Sequence, residues 1–289
     1  MTRSVPFWLA LAAGLFSSIV PASATPYADR VIAYSQGSTA ANAYNNPSSA
    51  LGEPSRITPA GPTDAPVTPF NPPWPTGQLV SIGAGGSITL ELGISAQDVA
   101  WNPYGIDLIL FGNNGFKVND YSVPESEWTT DGTLFTFDPA GASTVWVSDN
   151  NQDYYELVVP SGLTAQVDSL FPTDASGDFL KPVNPSLTGA DFAGKNLAGI
   201  KELYAGSAGG TGFDLAWARK SDGSQAGIAS ARFVRIEVSH GKIELDGIAA
   251  VPEPATWALF GLGLLGAAGL RSTAKRHHQP FGSTGTKPL

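Results

Sequence analysis

Few residue types in this chain could do acid–base or metal chemistry. Cysteine is absent, which removes thiol nucleophiles, thiolate metal sites and redox work. Of the three histidines, only His240 precedes the apolar C-terminal stretch; His277 and His278 follow it. A Ser/His/Asp triad would have to use His240, and a His-rich zinc site cannot be assembled within one chain. His240 lies in Ser239-His240-Gly241 between two strand-like runs, where a solvated turn residue is the simpler expectation. Carboxylates and aromatic rings remain.

Asp149-Asn150-Asn151-Gln152-Asp153 sets oxygen ligands at alternate positions, as calcium loops do, but lacks the glycine and the distant bidentate glutamate of an EF-hand. A hairpin turn explains the same residues through their local hydrogen bonding and is preferred. A glycosidase would need two acids across the scissile bond, and no motif selects such a pair. No catalytic residue and no cofactor are therefore expected; a structural calcium elsewhere among the loop carboxylates stays open, with its ligands unknown. Trp74 falls in a proline-dense loop, Trp101 and Tyr104 in the Ala100–Gly105 turn, and Trp128 in a polar loop. Loop Trp and Tyr can stack on sugar rings, so Trp74, Trp101 and Tyr104 are expected to form one ligand-binding platform for glycan. Trp146 and Trp217 lie inside strand-like runs and are expected in the core.

The formal net charge is −9. Arg3, Arg271, Lys275, Arg276 and Lys287 all lie near the two ends, so residues 25–250 are more acidic still. Phosphate backbones are bound mainly through Lys and Arg, so no nucleic acid partner is expected.

Near the C-terminus stand Val251-Pro252-Glu253-Pro254-Ala255-Thr256, then Trp257 to Leu270, rich in Gly and Leu, then Arg271, Lys275 and Arg276. As a helix the run from Ala255 to Leu270 spans roughly 24 Å, slightly short of a hydrocarbon core. Apolar sequence with basic charge only behind it reads as a stop-transfer helix, basic end in the cytoplasm. Pro252 and Pro254 prevent that helix extending backward. This arrangement resembles the PEP-CTERM sorting signal. The resemblance implies recognition by an exosortase at Val251, Pro252, Glu253 and Pro254, with Arg271, Lys275 and Arg276 as the basic end. It also implies transient residence in the inner membrane, a Gram-negative host that makes exopolysaccharide, and a final place at the cell surface or in the extracellular matrix. Two features depart from the pattern: Ser272-Thr273-Ala274 interrupts the basic cluster, and a polar tail runs on to Leu289.

The other end fits export. Met1-Thr2-Arg3 is followed by an apolar stretch to Val20 and by Ala22-Ser23-Ala24, a secretory signal cut by signal peptidase before Thr25. Four segments result: signal peptide 1–24, β-sandwich ectodomain 25–250, sorting segment with membrane helix 251–276, and polar tail 277–289.

The elements that must position the candidate residues are short strands. Val31–Ser35, Leu79–Ile82, Ser87–Leu92, Asp107–Phe111, Leu134–Phe137, Thr144–Ser148, Tyr154–Val159, Phe213–Trp217, Arg232–Val238 and Lys242–Ile248 are rich in β-branched and aromatic residues. Ile88, Leu90 and Leu92 alternate with Ser87, Thr89 and Glu91. Gly83-Ala84-Gly85-Gly86 and Gly112-Asn113-Asn114-Gly115 supply turns. The spacing predicts an all-β, jelly-roll-like antiparallel sandwich, with one helix near Asn196–Tyr204. Pro54–Gly77 is expected to hold no strand, and Val167–Leu187 is expected to be loop.

Ala231-Arg232-Phe233-Val234-Arg235-Ile236-Glu237-Val238 and Ile243-Glu244-Leu245-Asp246-Gly247-Ile248 resemble the closing strands of discoidin-like, galactose-binding-like jelly rolls. That resemblance implies ligand binding by loops at one end of a sandwich. Together these readings describe an exported, exosortase-processed surface protein, a non-catalytic module for extracellular polysaccharide. A secreted carbohydrate-active hydrolase and a purely structural matrix protein are the alternatives.

Overall fold

Alternation along three neighbouring strands sets the architecture. In β11 (Ser230–His240) Val234, Ile236 and Val238 are buried, while Arg235 and Glu237 point the other way. β5 (Ser87–Gln97) buries Ile88, Leu90 and Leu92, and β7 (Ala142–Ser148) buries Val145 and Val147. Register partners share a face of a sheet. Val234 opposite both Leu90 and Val147 thus builds one continuous apolar row.

The computed structural model describes residues 24–61, 63–135 and 141–252. The signal segment up to Ser23, Glu253, Pro254, the 255–270 helix, Arg271, Lys275, Arg276 and the tail 277–289 lie outside the described residues. β1 (Ala28–Ser35), β5, β11, β7, β8 (Tyr155–Leu157) and β10 (Ala218–Arg219) form a six-stranded sheet in the order β1-β5-β11-β7-β8-β10. β4 (Val80–Gly83), β12 (Lys242–Ala250), β6 (Leu108–Gly112) and β9 (Thr211–Phe213) form a four-stranded sheet in the order β4-β12-β6-β9. Every pairing within both sheets is antiparallel. Their inner faces share one core that includes Leu90, Val234 and Ile236 from the first sheet and Leu108, Leu110 and Ile248 from the second. The protein is a mostly β sandwich.

A third, two-stranded sheet corrects the reading of Pro54–Gly77 as strand-free. β2 (Ile57–Ala60) and β3 (Thr63–Pro66) pair there as a hairpin. Proline forfeits a ladder donor, which an isolated two-stranded ribbon tolerates because its outer edges need no partner. The neighbouring segment packs against the outer side of the four-stranded sheet. Asp246 on β12 accepts from the Ser55 backbone N–H at 2.8 Å and from its hydroxyl at 2.9 Å. This cover explains why β12 is buried on both faces.

Three other expectations shift at their ends. The run Tyr154–Val159 pairs only over β8, and Phe213–Trp217 stops pairing at Phe213. There the Asp214 carboxylate accepts from the Ala216 N–H at 2.7 Å and caps a 3-10 turn over Leu215–Trp217, which leaves Trp217 buried in the core. Of Leu134–Phe137, Leu134 makes a single bridge to Phe116, and residues 136–140 lie outside the described residues.

The expected helix is present as α2 (Leu197–Tyr204), capped by Asn196, after the single-turn α1 (Gly189–Phe192). α2 carries Ile200 and Tyr204 into a second apolar cluster with Phe70, Phe116, Phe171 and Phe192. Val167–Leu187 is irregular, and supplies Phe171 and Val183 to that cluster.

Candidate ligand-binding cleft

The outer face of the six-stranded sheet carries a row of polar and aromatic side chains. Thr89 on β5 lies opposite Arg235 on β11, Arg235 opposite Trp146 on β7, Trp146 opposite Glu156 on β8, and Glu156 opposite Arg219 on β10. The inward residues of the same strands, Val145, Val147 and Leu157, fill the core. Trp146 is therefore no core residue, as its position within a strand had suggested. It stands on the opposite face from its two valine neighbours, half-buried, in the wall of a cleft of about 810 Å³.

The cleft is open and chemically mixed. Trp146, Tyr154 and Tyr155 supply ring faces, Glu156 and Asp153 carboxylates, and Arg219 and Lys220 cations. Two acids face two bases there, a balanced lining on a chain of net charge −9. The Arg235 guanidinium stacks over the Tyr154 ring at 3.7 Å from its centroid, holding that ring in place by cation–π attraction. Burial pushes the Tyr154 hydroxyl up from its usual range, and it donates to Asn151 at 2.6 Å. The Trp146 indole Nε1 is buried with no hydrogen-bond partner. A buried donor left unpaired costs about 1–3 kcal/mol, and an ordered water is the usual partner of such a group.

The loop joining β7 to β8 is a turn stabilised from within. Asn150 Oδ1 accepts from the N–H groups of Gln152 and Asp153 at 2.8 and 2.9 Å, and Ser148 Oγ accepts from Asn151 at 3.0 Å. These side chains are engaged with their own backbone, in keeping with the turn reading of Asp149–Asp153. His240 ends β11, exposed.

The expected aromatic platform divides in two. Trp74 is half-exposed, with its indole N–H bonded to the Pro59 carbonyl at 3.0 Å. Its loop is anchored beyond the C-terminal end of β6, where the Phe116 N–H meets the Pro69 carbonyl at 2.8 Å. Trp101 and Tyr104, also half-exposed, lie in the turn that enters the N-terminal end of β6, tied by the Asn102–Asp107 hydrogen bond at 2.8 Å. The structure places Trp101 and Tyr104 in one turn and Trp74 in a different loop, anchored at the opposite end of β6.

Several carboxylates sit inside the protein. Burial pushes Asp246 up to about 7 despite its two bonds from Ser55. Asp168 is raised to about 6 by burial. Glu244 is also raised by burial, and it is bonded by the Asn113 amide at 2.5 Å.

At the other end of the four-stranded sheet the last strand runs into the proline-rich segment. Ala250 pairs with Leu108, Val251 is buried, and its N–H donates to the Asp107 carbonyl at 2.9 Å. Residues 250–275 match the PEP-CTERM protein-sorting motif. The chain carries a PEP-CTERM sorting signal. That signal supports an exported protein sorted by exosortase and held by a C-terminal membrane anchor before release to the cell surface or beyond. The PEP-CTERM match begins on the last residue of β12, so the fold and the signal share a residue with no linker between. Pro252, two residues on, is exposed. No curated protein matches the chain.

The sequence held a clue to the cleft. Trp146 alternates with Val145 and Val147, and a strand period of two puts it on the outer face whenever the valines are inside. Tyr154, Tyr155, Glu156, Arg219 and Lys220 become its neighbours only through the pairing β7-β8-β10.

Proposed function

We propose that this sorted surface protein is a non-catalytic module that binds extracellular polysaccharide in the Trp146 cleft. One observation carries the reading: the half-buried Trp146 ring stands beside Tyr154 and Tyr155 in an open, polar cleft. A sugar suits that wall, with an apolar ring face for the aromatics and hydroxyl groups for the polar lining. Glu156, beside Trp146 in register, and Arg219 beyond it offer an acceptor and a donor for hydroxyl groups. The extracellular destination supports the same reading, because exopolysaccharide and matrix surround a protein delivered there.

The test uses the full chain purified in mild detergent and assayed on immobilised neutral and acidic polysaccharides. Trp146→Phe keeps a ring and removes the N–H; Trp146→Ala removes both. Binding should weaken stepwise, with the alanine variant at least about tenfold down, as for a central aromatic anchor. The polysaccharide should be recovered uncut. Equal binding by all three proteins, or turnover lost with a single acid, would refute the proposal.

A further inference from the structure

We infer that Asp98, Asp107 and Asp214, with the Asn102 side chain, form a calcium site at the base of the Trp101–Tyr104 turn. One carboxylate oxygen from each aspartate lies within 4.8 Å of those of the other two. A cation with bonds of about 2.3–2.6 Å spans ligand pairs up to roughly 5 Å apart, whereas bonds of about 2.0–2.1 Å, as magnesium makes, span less. Oxygen-only ligands of mixed exposure also suit calcium, which accepts irregular shells completed by water.

A second observation points to a ligand. Asn102 is 3 % exposed, its amide nitrogen touches Asp107 Oδ1 at 2.8 Å, and its own Oδ1 is buried without a partner. An amide can turn about its last bond to exchange the two atoms, so this side chain holds an uncommitted oxygen beside the acidic cluster. The backbone also makes room. Gly105 has φ +73°, and a Cβ there would come within 3.0 Å of Asp214 Oδ2.

Among the described residues, none of the three acids makes an ion pair. The ion pairs of Glu91, Glu53, Asp174 and Glu237 all lie elsewhere. Burial raises Asp107 to about 6, with the charge of Asp214 adding to it; burial and then Asp98 raise Asp214. A divalent cation would reverse both effects.

The site joins three parts of the fold. Asp98 follows β5, Asp107 precedes β6, and Asp214 follows β9. Asp107 Oδ2 also accepts from the Leu215 N–H at 2.9 Å. Calcium there would cross-link the two sheets and fix the turn bearing Trp101 and Tyr104. The inference stands independently of polysaccharide binding in the Trp146 cleft.

The full chain, stripped with chelator, is titrated with calcium chloride by calorimetry and thermal unfolding, with magnesium chloride in parallel. The melting temperature should rise by roughly 5–10 °C when calcium is about a hundredfold above Kd. Magnesium should give a smaller rise. Asp98→Asn changes an exposed residue and keeps the fold; it should weaken calcium binding at least about tenfold, and Asp98→Asn with Asp214→Asn should abolish the shift. No calcium-dependent shift in the wild-type chain would overturn the inference. So would a shift that persists in the double variant, or an equal response to magnesium.

Discussion

The backbone N–H of Val251 donates to the carbonyl oxygen of Asp107 at 2.9 Å. This bond fastens the start of the sorting signal to the strand that opens at Leu108, and Val251 itself is buried. The folded ectodomain therefore reaches Pro252 without slack.

Recognition should depend on Glu253 rather than on the fold above it. Glu253→Ala is expected to leave an unprocessed, membrane-retained form in a host with an exosortase. The melting temperature should be unchanged, because β12 and Val251 keep their bonds. Fractionation and immunoblotting separate the two forms; equal release of wild type and variant would indicate a plain anchor.

The buried carboxylate of Asp246 predicts an unusual pH dependence. Unfolded aspartate titrates at about 3.9, whereas burial lifts Asp246 to about 7. The native state thus holds the proton more tightly. Its contribution to stability is complete below the unfolded value, shrinks as pH rises towards about 7, and is lost above that. Asp246→Asn can still accept from the Ser55 N–H and can donate to its hydroxyl. With chelator present, the variant should show a flatter profile between about pH 4 and pH 7 and a higher melting temperature at about pH 8. The difference between the two pH extremes should be on the order of 4 kcal/mol. An unchanged slope would place the titration elsewhere.

Much of the sandwich was legible because its strands alternate. Ile88, Leu90 and Leu92 against Thr89 and Glu91 disclosed β5, and Val234, Ile236 and Val238 disclosed the inner face of β11. The β2–β3 hairpin was hidden by Pro59 and Pro66, since proline argues against a strand wherever a ladder is continued. Trp146 was misplaced by weighing its residue type above its phase between two valines. The meeting of Asp98 and Asp107 with Asp214 had no local signal, because antiparallel pairing of β6 with β9 joins Asp107 to Asp214 and Asp98 reaches them from the end of β5 in the other sheet. The sorting signal was fully legible, because its recognition resides in contiguous residues.

The Arg235–Tyr154 contact should be measurable as stability. A cation over a partly exposed ring contributes roughly 0.5–1 kcal/mol, and Arg235 also reaches Thr89 Oγ1 at 3.4 Å. Arg235→Ala should lower unfolding stability by about 1 kcal/mol in a urea titration. Arg235→Lys should lower it less, because charge over the ring survives. The alanine variant should also raise the Tyr154 titration further, since Arg235 at present holds it down against burial. A variant as stable as wild type would mean that the stacked pair is formed too rarely to matter.

The division of the expected platform gives the sharpest test of where ligand binds. Trp74 is half-exposed and tied to Pro59, and its loop is anchored at the far end of β6 from the Trp101–Tyr104 turn. Neither group lines the Trp146 cleft. Trp74→Ala should therefore leave polysaccharide binding unchanged. Tyr154→Ala, which removes a cleft wall and the ring beneath Arg235, should weaken binding about tenfold or more. Trp101→Ala should leave affinity in the cleft unchanged as well, because its turn belongs to the acidic cluster at the base of β6. Titrating all three variants against one polysaccharide in parallel separates the surfaces. Loss with Trp74→Ala and retention with Tyr154→Ala would move the binding surface from the sheet face to the proline-rich loop.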